Sequence, residues 1–162
     1  MAIPIVMILL VAASIYVPGL FIHPKYSFLY VTGSDYYDGL QYAIQNGKLI
    51  KSVEKPAPNQ KPRVDQSQLS IMDVPLNESK TISLDDAQKL KLDPSAQSPD
   101  GFEVLQGNQS RGVFPFFDFA ETDYNTIYLR GHNASKKLNA RVTSTGNYGN
   151  YYTFRFLGWI VQ

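Results

Sequence analysis

Apolar residues follow two different rhythms along the chain. From Ala2 to Ile22 they run through MAIPIVMILLVAASIYVPGLFIHPK with no formal charge until Lys25. Beyond Tyr26 they come in short bursts punctuated by Gly, Pro, Asn and Asp, the pattern of strands joined by turns. The first rhythm predicts a membrane-spanning helix, because 21 residues at about 1.5 Å rise match the roughly 30 Å hydrocarbon core of a bilayer. Pro4 falls in its first turn, where a missing N–H is harmless. Pro18-Gly19 predicts a kink or stop near the exit, leaving Tyr16, Phe21, His23 and Tyr26 as an aromatic belt. A cleaved signal peptide would use Ala12-Ala13-Ser14, but no basic region precedes the run and apolar sequence continues past that site. A soluble core element of this length would have to be enclosed on all sides. The expectation is a transmembrane anchor over residues 1–25, meeting the lipid bilayer through 2–22, followed by a domain over 26–162.

The second rhythm predicts that this domain is mainly β, a sandwich- or barrel-like unit with one short helix. Tyr26 to Thr32 reads as a strand. QYAIQNGKLIKSV places Asn46-Gly47 between two alternating arms, and both residues accept the positive φ of a type I′ hairpin turn. EKPAPNQKPR, over 54–63, carries Pro56, Pro58 and Pro62 and reads as an extended, solvated connector. Leu69 to Val74 is a further strand. Ser83-Leu84-Asp85-Asp86 resembles a capping box that opens a helix near 84–90, its acidic pair placed where the helix dipole favours negative charge. Asp93-Pro94 is expected to stop that helix. In SPDGFEVL, Pro99 presets a turn, Asp100 caps it and Gly101 takes the left-handed position before a strand. Thr126 to Arg130 is a strand, and Gly131-His132-Asn133 a turn. Ser135 to Thr143 alternates, with Leu138, Ala140 and Val142 on one face and Lys137, Asn139 and Arg141 on the other. The closing TFRFLGWIV turns Phe154 and Phe156 inward beside an exposed Arg155.

Composition sharpens this picture. Eleven Tyr and nine Phe against one Trp favour pleated, half-buried strands. With 15 basic and 14 acidic side chains, the net charge of +1 lacks the cationic footprint that nucleic-acid binding requires. Cysteine is absent, which excludes disulfides, thiolate catalysis and Cys-based zinc sites. Orientation draws on opposed signals. Lys25 beyond the apolar run leans towards a cytoplasmic domain by the positive-inside rule, whereas the Tyr/Asn/Gly-rich, β-like composition leans outward. The expectation is an extracytoplasmic domain.

Candidate chemistry is sparse. His23 sits at the expected membrane boundary and His132 in a turn, and neither has a partner at metal-ligand spacing. Asp118, Glu121 and Asp123 cluster in DFAETDYN with Asn125. Such oxygens at alternate spacing are weak metal candidates, though the EF-hand order and its glycine are missing. Asp35 and Asp38 pose the same question. All read more simply as solvated loop charges, so no resident metal and no cofactor is expected. Tyr36, Tyr37, Tyr148, Tyr151 and Tyr152 lie in Gly-rich loops, where tyrosine can fill a protein interface or stack on sugars. The leading expectation is a non-enzymatic envelope protein that binds a protein partner or serves as a structural component of the envelope. The alternatives are a cell-wall glycan-binding module using the Tyr-rich loops and an anchored hydrolase using Asp118, Glu121 or Asp123.

Two resemblances accompany these residues. Ser98 to Leu105, SPDGFEVL, resembles the turn and strand of blades in TolB-like β-propellers, although such a fold needs about four to eight blades and the chain holds one copy. An N-terminal span followed by ISLDDAQKLKLD, SPDGFEV, a Phe-rich segment, SKKLN and FRFLGW is similar to uncharacterised single-pass membrane-anchored proteins of small-genome candidate-phylum bacteria. That resemblance implies an envelope context and no particular activity.

Overall fold

Three antiparallel sheets and little helix make up the structure, a computed structural model that describes residues 6–7, 23–33, 40–53, 67–107, 126–132, 134–142 and 154–161. The strands are β1 (Phe28–Thr32), β2 (Leu40–Gln45), β3 (Lys48–Val53), β4 (Gln68–Asp73), β5 (Glu78–Thr81), β6 (Leu92–Asp93), β7 (Glu103–Gln106), β8 (Ile127–Gly131), β9 (Ala134–Leu138) and β10 (Phe154–Ile160). A single helical turn, α1 (Leu84–Ala87), lies between β5 and β6. The chain is mainly β.

The central sheet has the order β5-β4-β1-β10-β6. All five residues of β1 are buried, because the sheet is covered on both faces. Phe28 and Tyr30 face a cluster with Met72, Val74, Phe102, Ile127, Leu129, Leu138 and Trp159, supplied largely by the sheet β7-β8-β9. Leu29 and Val31 face a second cluster in which Leu69, Leu92 and Leu157 of the same sheet meet Tyr42 and Leu49 of the β2–β3 hairpin and Ala87 of α1. An unbroken apolar strand, FLYVT, is what two covered faces demand. β4 divides its side chains the same way, with Leu69 and Ile71 on the hairpin side and Met72 on the other.

β10 shows how register can override simple alternation. Tyr30 pairs with Phe156 and Leu29 with Gly158, so Leu157 is an extra residue in a β-bulge. Trp159 stands three residues after Phe156, and strict period-2 geometry would send them to opposite faces. The bulge returns Trp159 to the face of Phe154 and Phe156. There it meets Phe28 edge-on, with ring centroids 5.5 Å apart and planes at 78°. Gly158 leaves room for Ile44 of the hairpin: a Cβ there would lie 2.6 Å from Ile44 Cδ1 and 2.8 Å from the Asp93 carbonyl.

Local elements follow their sequence signals with three departures. Asn46 and Gly47 have φ of 52° and 73° between the paired Gln45 and Lys48, as the Asn-Gly signal requires. Ser83 caps α1, its Oγ accepting from the Asp86 N–H at 3.2 Å and donating to Asp86 Oδ2 at 2.8 Å. The helix expected near 84–90 is shorter, ending at Ala87. Asp93, expected with Pro94 to stop that helix, instead joins Leu92 in β6, the two pairing with Trp159 and Ile160. Position 138 is buried, 140 and 142 are half-buried, and 137, 139 and 141 are exposed, yet the strand stops at Leu138. Tyr30 holds the segment beyond it: its hydroxyl bonds Ser79 Oγ and accepts from the Arg141 N–H at 3.1 Å. Asn77 Oδ1 accepts from the Asn139 N–H at 3.0 Å.

Candidate functional site

Most of the residues singled out from sequence lie outside the described residues, His23 and His132 excepted. This holds for Tyr36, Tyr37, Tyr148, Tyr151 and Tyr152, for Asp35, Asp38, Asp118, Glu121 and Asp123, and for the connector at 54–63. Their flanking strands nevertheless fix where each segment joins the fold. Thr32 pairs with both Phe154 and Gln68, and Leu40 pairs with Val53. The connection 34–39 therefore leaves the central sheet where the connection 143–153 re-enters it. The connector returns to the same end, at Ser67 and Gln68. The carboxylate-bearing connection hangs from a different sheet: Gly107 N–H donates to the Thr126 carbonyl at 2.9 Å, closing 108–125 at the β7–β8 end.

The opposite end of β1 carries a polar knot built from the SPDG turn. Ser98 is buried. Its Oγ accepts from the Phe102 N–H at 2.8 Å and donates to Asp100 Oδ1 at 2.5 Å. Asp100 Oδ2 accepts from the backbone N–H of Lys25 at 2.9 Å. Gly101, at φ 82°, supplies the left-handed position expected of it. His132, at φ 50° in the β8–β9 turn, donates from Nε2 to the Asp100 carbonyl at 2.8 Å and stands edge-on to Phe102. A serine, an aspartate and a histidine are thus gathered, but not as a nucleophilic triad. A triad needs the imidazole against the hydroxyl and the carboxylate behind the imidazole; here the hydroxyl meets the carboxylate and the imidazole meets a main-chain oxygen. The knot joins the start of the domain to the β7-β8-β9 sheet. Sequence reading found both turns and missed their meeting, because the SPDG and Gly-His-Asn motifs carry no mark of each other.

Other chemistry is thin among the described residues. A cleft of about 340 Å³ beside Lys25 is lined by that residue, Tyr26, Ile160 and Val161. No group of three His, Cys, Asp or Glu could hold a metal ion among the described residues. The carboxyls displaced from their ordinary range serve local turns. Hydrogen bonds from Lys89 and then Ser83 hold Asp86 below its usual value. The Ser95 hydroxyl and N–H do the same for Asp93. Asp86 is exposed and Asp93 half-buried, and each shift comes from a neighbour in its own turn rather than from burial. Among the described residues no helix is long and apolar enough to cross a membrane; of residues 2–22 only Val6 and Met7 are described, both exposed and helical. Comparison with protein-family models, curated proteins and solved structures finds no match to this chain.

Proposed function

We propose that the chain is a membrane-anchored, extracytoplasmic interaction protein. Residues 2–22 hold it in the bilayer as a transmembrane helix, the layered β domain lies outside, and the tyrosine-bearing connections receive a protein partner. The observation that carries the reading is the direction of β1. The uncharged run enters the domain ahead of Phe28, while 34–39 and 143–153 join at the other end, at Thr32 and its partner Phe154. Five residues at about 3.3 Å each separate those ends by roughly 15 Å. A chain held by its N-terminus would present Tyr36, Tyr37, Tyr148, Tyr151 and Tyr152 on the side away from the bilayer. Tyrosine suits that place because it supplies large contact area with a polar tip and is enriched at interfaces.

Two measurements test the reading. The intact chain should stay with membranes through alkaline carbonate washing, since exposing the 2–22 side chains to water opposes release at about 25 cal/mol per Å². Release of the uncleaved chain would overturn the anchor. Cross-linking in intact membranes, followed by purification, should yield a protein species that Tyr148→Ala/Tyr151→Ala loses and Asp118→Ala, Glu121→Ala and Asp123→Ala retain. Two anchors of about 2 kcal/mol each, if additive, weaken binding roughly a thousandfold. Loss of wall-polysaccharide binding in the tyrosine variant would favour the glycan-binding alternative. Loss of cellular role in a folded carboxylate variant would direct attention to a reaction.

A further inference from the structure

We infer that the outer edge of β5 pairs with the same edge of a second copy of this chain, in one antiparallel register centred on Ser79. The inference begins with backbone groups. Ile82 N–H donates to the Leu69 carbonyl at 3.0 Å, and the same register pairs Lys80 with Ile71, Ser79 with Met72 and Glu78 with Asp73. Hydrogen-bonded and non-bonded pairs alternate in an antiparallel ladder, so Glu78, Lys80 and Ile82 face β4. Ser79 and Thr81 direct their N–H and C=O groups outward. Among the described residues β5 ends its sheet, and Glu78, Lys80 and Thr81 are exposed. Such an edge is a template for another strand unless something blocks it.

A lysine on an edge strand is itself a common block, and here it discriminates between registers. Outward groups must meet outward groups, so Ser79 of one chain can face Ser79 or Thr81 of the other. If Ser79 faces Thr81, the dyad falls on Lys80 and sets two like charges directly opposite, which is unfavourable. If Ser79 faces Ser79, Glu78 stands opposite Lys80 of the second copy, and Lys80 opposite its Glu78. Both charge pairs are then complementary and lie on one face. Four residues bury less than the roughly 1,200 Å² of a stable complex, so the pairing is transient and grows with local concentration, as in the plane of a membrane. It does not depend on the tyrosine-bearing segments.

Cross-linking reads the register directly, because the chain has no cysteine and each variant carries one thiol. Full-length Glu78→Cys and Lys80→Cys proteins are oxidised separately and as an equal mixture. In the inferred register the two thiols oppose each other only in the mixture, at the roughly 4.5 Å Cα separation of a non-hydrogen-bonded pair, within disulfide reach. The remaining Lys80 and Glu78 still pair. In either single sample the thiols are diagonal neighbours about 7–8 Å apart, beyond that reach. The expected result is a disulfide-linked dimer in the mixture well above both single samples. No dimer in the mixture, or equal yields in all three, overturns the inference. Lys80→Glu should weaken self-association by about 2- to 30-fold, the range two cross-strand charge pairs supply, and Glu78→Lys/Lys80→Glu should restore it. Failure of the swap to restore association also overturns it. Both sites are exposed, and unchanged Trp159 fluorescence certifies folding.

Discussion

Tyr30→Phe isolates one hydroxyl at the junction between the central sheet and the segment leading into 143–153. The ring itself is fully buried and packs 5.9 Å from Phe28 and 5.1 Å from Phe154, centroid to centroid. Phenylalanine preserves those contacts. What disappears is the bond to Ser79 Oγ and the acceptor for the Arg141 N–H at 3.1 Å; the 3.4 Å approach to the Arg141 carbonyl is too long to add much. Ser79 is half-buried, and its hydroxyl can turn to water at small cost. The Arg141 N–H cannot turn, and an orphaned, part-buried donor costs about 1–3 kcal/mol. A loss of about 2 kcal/mol is therefore expected. Urea titration followed by the fluorescence of Trp159, the single tryptophan and 1% exposed, reads it. With a slope near 2 kcal/mol per M the midpoint should fall by about 1 M, the slope unchanged. Amide exchange at Arg141 should quicken while that of β1 follows global stability. A change below about 0.5 kcal/mol, or unaltered exchange at Arg141, would refute the claim that Tyr30 straps this segment to the sheet.

Gly158→Ala should destabilise the chain by about 1–3 kcal/mol, because its methyl would meet Ile44 Cδ1 and the Asp93 carbonyl. Adding Ile44→Ala should recover none of the clash with the carbonyl, and a neutral single variant would show that β10 can shift away. Gly47→Val should cost more than about 1 kcal/mol, since a β-branched residue resists φ of 73°; denaturation giving less than about 0.5 kcal/mol would remove the type I′ requirement. Folding lowers the Asp86 pKa below 3.8, chiefly through Lys89. Its contribution is thus complete above the ordinary carboxylate value and lost as pH falls through the lower folded one. Lys89→Met should move the Asp86 titration up towards 3.8 in carboxyl NMR, and an unmoved titration would show that Ser83 alone sets it.

How far the chain could be read in advance depended on whether a signal was local. Asn46-Gly47, the Ser83 cap, the SPDG turn and the alternation from Leu138 to Val142 are determined within a few residues, since positive φ, a capping hydroxyl and period-2 patterning need no distant partner. Their structures match. β5 and β6 had no such signal. Glu-Ser-Lys-Thr is polar because it forms an edge, and Leu92-Asp93 is too short to show a period; each becomes a strand only because β4 or β10 lies beside it. The side of the sheet on which Trp159 lands was equally hidden, because it depends on a bulge whose register is set by pairing with β1, more than a hundred residues earlier. The candidate tyrosines and carboxylates were visible as residue types alone. That the strand ends leading to 34–39 and from 143–153 are neighbours in the central sheet, at the end of β1 away from Phe28, follows from Thr32 pairing with Phe154. Composition carries no trace of that adjacency, because it is created only when strands far apart in sequence exchange hydrogen bonds.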